Sequence, residues 1–220
     1  MIGRMGWAGT TLSARRAVRR RRLLDAALDL LGTGGSAAVS VRSVCRAAQL
    51  TDRYFYENFA DRDALVVAVY DELARSAGDV LINAVAEVAT DEYEPIARAA
   101  VEAFLDYLAD DPRRGRVLLQ EPLADPALAA RGVALSPAFA TIIRAQLATA
   151  RDIDAQLAAT AMVGAMANLL IRWLDGSLAI DRAGLAEFCV QLLSASMALA
   201  GPGSASAAPS AGRRPRAAHR

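Results

Sequence analysis

Apolar residues recur at helical spacing through most of the chain, and glycine, proline or a capping side chain stands between the runs. Leu23, Ala27, Leu30 and Leu31 form one stripe and predict a first helix over residues 16–31, ended by Gly32-Thr33-Gly34-Gly35. Ser40 is placed to cap a short helix to about Ala47, Thr51 another to about Phe59, and Asp61 a long helix running past Ala84. Glu94-Pro95, Asp111-Pro112, Asp125-Pro126 and Ser136-Pro137 each pair a capping residue with proline, which suits the first helical position, so they predict four more starts. Their helices end near Ala109, Gln120 and, for the last of the four, Arg151. Residues 154–175 and 181–200 are the final helices. Strand-like alternation is absent, so the pattern predicts an all-α chain of about nine helices.

The 220 residues are 54% hydrophobic and 22% charged, which suits a small domain joined to a larger one. Fifty are alanine, the strongest helix former, and all 25 basic residues other than His219 are arginine. His219 is the single histidine, and Cys45 and Cys189 lie far apart, which argues against a histidine triad, a zinc site and a disulfide framework. No cofactor and no metal is expected, and no enzyme. Residues 1–14 lack the apolar core of an export signal, so a cytoplasmic location is expected. The uncharged stretch 155–171 falls short of the roughly 20 apolar residues of a membrane span and reads as a helix buried on two sides.

Charge divides the chain. Residues 1–59 carry 10 Arg against 4 acids (+6), residues 60–200 carry 11 Arg against 20 acids (−9), and residues 201–220 carry 4 Arg and no acid (+4). A basic head on an acidic body suggests one module that touches a polyanion and another that does not. The domains read as a flexible arm over 1–14, a basic head domain over 15–62, a helical body over 63–200 and a disordered tail over 201–220.

Two short capped helices separated by three or four residues, as in 40–59, must cross steeply, which is the helix-turn-helix arrangement. Val41, Val44, Leu50, Phe55 and Phe59 would face the first helix. Asp52, Arg53, Tyr54, Tyr56 and Glu57 are left on the flanks and outer side of the second helix, the recognition helix.

On these residues the chain resembles the TetR family of transcriptional regulators. Leu23 to Leu31, Ser40-Val-Arg-Ser-Val, Ala48-Gln-Leu-Thr, Tyr56-Glu-Asn-Phe59 and Asp61-Arg62-Asp63-Ala-Leu65 are similar to successive parts of that family's DNA-binding domain, over about 50 residues. The family usually has glycine in the turn, where the backbone is left-handed; Gln49 stands there at a cost of roughly 1 kcal/mol, and the turn is still expected to form. Asp52, Arg53 and Tyr54 replace the small residues usual at the start of the recognition helix, so the usual operator does not carry over.

Arg53 can reach O6 and N7 of guanine with its planar fork, or pair with Glu57 one turn on. Tyr54 can face DNA or pack on the first helix. The resemblance implies that Tyr56 and Arg62 touch the phosphate backbone, positioning the protein rather than specifying sequence. Ser40, Arg42 and Thr51 lie at or near helix N-termini that attract phosphate, and Arg15, Arg16 and Arg19, within a cluster running to Arg22, can follow neighbouring phosphates. Cys45 and Cys189 read as buried small hydrophobes.

The resemblance also implies a homodimer formed by the last two helices and a ligand pocket in the middle ones. Leu185, Phe188, Cys189, Leu192, Leu193 and Met197 offer a broad stripe for pairing. Candidate pocket residues are the apolar Phe104, Tyr107, Leu108, Val117, Leu118, Phe139, Ile143, Met162 and Met166, with the polar Gln120, Glu121, Asn168 and Arg172. An ordinary filled core accounts for them equally. The expected partners are double-stranded DNA, a second copy of the chain and a small apolar or amphipathic ligand, without a membrane. The leading expectation is a dimeric repressor that leaves a pseudo-palindromic operator when ligand binds. The alternatives are a helical small-molecule binder and a ligand-independent DNA-binding protein.

Overall fold

The computed structural model describes residues 12–144 and 152–200. The chain opens with α1 (Leu12–Gly34), a 3-10 turn (Ser36–Ala38), α2 (Val41–Ala48), α3 (Asp52–Tyr56) and α4 (Arg62–Ala86). Then come α5 (Tyr93–Asp110) and α6 (Pro112–Gly115), which runs on through a π turn (Arg116–Gln120) and a 3-10 turn (Glu121–Leu123). The last elements are α7 (Pro126–Arg144), α8 (Asp152–Leu174) and α9 (Arg182–Ala200). All regular elements among the described residues are helical.

Local chemistry explains most of these boundaries. Ser40 Oγ accepts from the Ser43 N–H at 3.1 Å while Ser43 Oγ accepts from the Ser40 N–H at 2.8 Å, a reciprocal cap that starts α2. Asp61, Asp125 and Asp181 accept from Ala64 N at 2.8 Å, Ala127 N at 3.0 Å and Gly184 N at 2.8 Å, and so open α4, α7 and α9. Asp111 opens α6 by accepting from Arg113 N at 3.1 Å, with Pro112 at the first helical position.

Other boundaries move. Glu92, not Glu94, precedes α5, and Pro95 sits inside its first turn. Ser136-Pro137 starts nothing: α7 runs through Pro137 from the Asp125 cap to Arg144, so two expected helices are one. Thr51 makes no side-chain capping bond, and α3 ends at Tyr56, because Asn58 Nδ2 donates back to the Tyr54 carbonyl at 2.7 Å and closes the chain into a turn. At the N-terminal end α1 already includes residues 12–14, assigned above to the arm; residues 1–11 and the 201–220 tail lie outside the described residues.

One core runs from head to body. Leu23, Leu31, Val44, Phe55 and Leu65 fill the head, and the same cluster continues through Val66, Val69 and Leu73 of α4 to Leu105, Leu108, Val117, Leu128 and Leu185. The long α4 therefore contributes to both parts, Leu65 to the head and Val66, Val69 and Leu73 to the continuing core. A second small cluster joins Ala97, Met162, Val190 and Leu193.

Polar contacts lock the same junction. Glu121, only 6% exposed, accepts from Ser36 N at 2.7 Å and from Arg116 Nε at 2.9 Å, while Arg116 also donates to the Thr33 carbonyl at 3.0 Å. Asp125, 4% exposed, takes Arg62 at 2.6 Å, and Arg62 donates to the Ser36 carbonyl at 3.0 Å. Gly35 makes this fit possible: its φ is 75°, and a Cβ there would lie 2.9 Å from Arg116 Nη2 and 3.1 Å from Glu121 Oε1.

Candidate nucleic-acid interface

The helix-turn-helix is built as the spacing predicts. Gln49 follows α2 with φ 54° and ψ 45°, the one non-glycine residue with positive φ among those described. The Leu50 N–H returns to the Cys45 carbonyl at 2.9 Å and reverses the chain into α3. Val44 and Phe55 are fully buried, Phe59 nearly so, and Val41 and Leu50 pack against the same core from its edge. Burying Phe55 contributes about 2–3 kcal/mol, enough to fix which face of so short a helix points outward.

The outer face carries Thr51, Asp52, Arg53 and Tyr56, all exposed. The Arg53 side chain is 85% exposed, with its Nε 3.2 Å from Glu57 Oε1. The Tyr56 ring stands edge-on to Phe55 with its centroid 5.4 Å away, and the residue is exposed. Arg42 is exposed on α2, two residues after the Ser40 cap. Cys45 packs under α2 beside Asp52; burial, and then that carboxylate, push its thiol up to about 11. The thiol is therefore protonated near neutral pH. Burial alone does the same for Cys189.

Tyr54, by contrast, lies under Arg19, whose guanidinium sits 4.5 Å from the ring centroid, so this side chain packs on α1. Arg19 also reaches Glu57 at 3.5 Å, Arg16 donates to the Glu57 carbonyl, and Arg20 stacks 4.4 Å over Phe59 and donates to the Asn58 carbonyl at 3.4 Å. Three arginines expected along phosphates thus brace the C-terminal end of α3. Arg15 is exposed on the same helix. Arg62 bonds the buried Asp125 and the Ser36 carbonyl, and also the exposed Asp63 at 2.9 Å. Asp63 aside, sequence spacing carries no signal for these bonds, because the partners are 26 to 63 positions away.

Most of the apolar candidates for the pocket come together in the main core, and the polar ones divide between the turns after α6 and α8. Tyr107, Leu108, Val117 and Leu118 are buried in the main core, with Phe104 and Met166 packed at its edge, while Met162 belongs to the second cluster. Glu121 is committed to Ser36 and Arg116, and Gln120 is half-buried beside it. Asn168 and Arg172 are exposed on α8 and bond to each other at 3.3 Å. The side chains of Phe139 and Ile143 lie outside those described. The helix Gln156–Leu174 is long and apolar enough to cross a membrane, and it packs here against α7 and α9. Contrary to the expectation of burial on two sides, Leu157, Thr160, Ala161 and Gly164 leave one of its faces open in the single chain. In α9 the expected stripe splits: Leu185, Cys189 and Leu193 point into the body, and Phe188 points out.

Residues 23–69 match the family model of the bacterial regulatory proteins of the tetR family. The fold is similar to that of the fatty acid degradation regulator FadR from Bacillus halodurans, at TM-score 0.68 and 17% identity, covering 80% of this chain and 94% of that one. It is also similar to a TetR-like transcriptional regulator from Rhodococcus sp. RHA1, at TM-score 0.65 and 20% identity over 83% of this chain and 97% of the other. The multidrug binding protein EbrR, solved with imidazole, matches at TM-score 0.60 and 22% identity over 79% and 94%. The head of the chain, residues 23–69, thus matches the model of the bacterial regulatory proteins of the tetR family, and it sits on a body whose all-α fold is similar to that of these solved regulators.

Proposed function

We propose that the protein is a sequence-specific DNA-binding repressor that acts as a homodimer in the cytoplasm and releases a pseudo-palindromic operator when a small ligand binds. The observation that carries this reading is α3: a short helix pinned by Phe55, with Arg53 and Tyr56 exposed on its outer face and Arg53 held, among the described residues, only by Glu57 one turn on. Magnitudes favour base contact for Arg53. An exposed i,i+4 pair with Glu57 is worth about 0.3–0.5 kcal/mol, whereas a bidentate contact to guanine is worth about 1–3 kcal/mol. Arg53 therefore exchanges Glu57 for a base in the complex.

Tyr56, Arg15, Arg42 and the N-terminal N–H groups beside Ser40 and Thr51 position the head on phosphates. Arg16, Arg19, Tyr54 and Arg62 hold α3 and the loop before α2 in place. The dimer forms through the open faces of α8 and α9, where Leu157 and Phe188 are 62% and 50% exposed and a Cβ on Gly164 would meet nothing within 4 Å. Small residues flanked by large apolar ones let a partner helix approach closely. Two recognition helices then enter major grooves about 34–36 Å apart. No catalytic step is assigned to any residue.

Selection from a random duplex pool with the purified chain tests this. An enriched inverted repeat with half-sites about one helical turn apart is expected; a pool left without enrichment, bound only with steep salt dependence, contradicts it.

A further inference from the structure

Away from the recognition face, a cavity of about 200 Å³ opens where α1 meets α4, the end of α5 and α6. Its apolar wall is Leu24 and Leu28 of α1 with Val69 and Leu73 of α4, and Tyr107 lines it from α5. Four charged residues surround it: Arg21, Glu72, Asp111 and Arg114. Three are already engaged. Arg21 donates to Asp25 and Glu72, and both Asp111 oxygens take Arg113, at 2.9 and 2.8 Å, which holds that carboxyl below its ordinary range.

Arg114 is different. It donates one N–H to the Tyr107 carbonyl at 2.8 Å and lies 4.4 Å over the Tyr107 ring, and although its charge helps hold the Asp111 carboxyl down, it makes no ion pair within 4 Å among the described residues. A guanidinium has five N–H donors, so most of its bonding capacity is unspent beside an apolar wall. These groups select a class of guest. A cation would find every carboxylate paired, and a neutral hydrocarbon would leave Arg114 unused. A monoanion with a small apolar body uses both. Size narrows it further, since an apolar cavity of about 150 Å³ takes a benzene ring and drug-sized sites start at about 300 Å³.

The geometry points to a binding site for a small aromatic or branched monocarboxylate at the joint between head and body, with Arg114 holding the carboxylate and Leu24, Leu28, Val69 and Leu73 the apolar part. The guest would press on α1, the helix whose Arg16, Arg19 and Arg20 brace the end of α3. That consequence for DNA rests on the regulatory reading above; the site itself does not.

Benzoate is the probe, titrated by calorimetry into the full chain beside benzyl alcohol, its neutral counterpart of similar size. Arg114→Gln removes the guanidinium, and Leu28→Phe fills the cavity. Saturable benzoate binding is expected, weaker by about tenfold or more for benzyl alcohol and for Arg114→Gln, and absent in Leu28→Phe. Should Leu28→Phe lose its helical circular dichroism, the Arg114→Gln comparison decides alone. No saturable benzoate binding, or equal affinity in wild type and Arg114→Gln, overturns the site. Duplex affinity is measured in the same samples. Benzoate binding that leaves duplex affinity unchanged removes the regulatory role and keeps the site, whereas duplex binding without benzoate binding removes the site and keeps the DNA reading.

Discussion

Gln49 shows how a single residue sets the recognition helix. Its backbone is left-handed without being glycine, and the turn survives because Leu50 N–H and the Phe55 core fix both sides of it. Gln49→Gly should therefore stabilise the fold by about 0.5–1 kcal/mol, seen as a higher denaturation midpoint with an unchanged slope; a destabilised variant would show that the glutamine side chain contributes something of its own. Cys45 makes the opposite kind of prediction. With its thiol pushed up to about 11 by burial and by Asp52, it should resist alkylation at pH 7.5 in the folded protein and react on unfolding. At this scale the sequence was most informative where a residue's job is local. Ser40, Asp61 and Asp111 cap as their spacing predicts, and Gln49 sits where the turn demands, because each acts within a few positions of itself.

Between elements, legibility in the sequence drops. The inward faces of α1, α2 and α3 follow from periodicity, but nothing in the spacing ties Arg19 to Tyr54 or Arg62 to Asp125. Ser136-Pro137 carries a helix-start signal as good as that of Asp125-Pro126, and is overridden because α7 packs as one rod on α4 and α8. Six of the apolar pocket candidates, Phe104, Tyr107, Leu108, Val117, Leu118 and Met166, come together in the main core cluster, but helical periodicity cannot tell a filled core from a cavity wall. Arg62 is where this matters for function: matched by resemblance to a phosphate contact, it is bonded to a buried carboxylate instead. Arg62→Ala should cost about 1–3 kcal/mol of stability by leaving Asp125 without its cation. The double variant with Asp125→Ala should lose less than the sum of the two single losses. Additive losses would mean that the pair does not couple head to body.

For the whole molecule, the charge split and the open faces of α8 and α9 lead to one expectation about assembly. Leu157→Arg places a charge on an exposed apolar position of α8, where the single chain has nothing to lose. It should keep its helical circular dichroism, sediment at half the mass of the wild type and bind the inverted repeat far more weakly. A dimer that survives the change would place the interface elsewhere. Acid should weaken the fold as well. Arg113 holds the Asp111 carboxyl below its ordinary range, and Arg98 does the same for Glu187. Groups depressed in the folded state add stability that is present above their unfolded pKa and lost as the pH falls through the folded value. Stability is thus expected to decline below about pH 4, with a shallower acid limb in Asp111→Asn.

Sequence readout by α3 depends above all on Arg53. Its most direct test is the affinity of wild type and Arg53→Ala for the selected duplex and for every single base-pair replacement of it. The prediction is a loss of about 1–3 kcal/mol for Arg53→Ala on the selected site, together with lost discrimination at one base pair in each half-site. An equal loss on every duplex, with discrimination intact at all positions, would contradict the claim and reduce Arg53 to a phosphate contact.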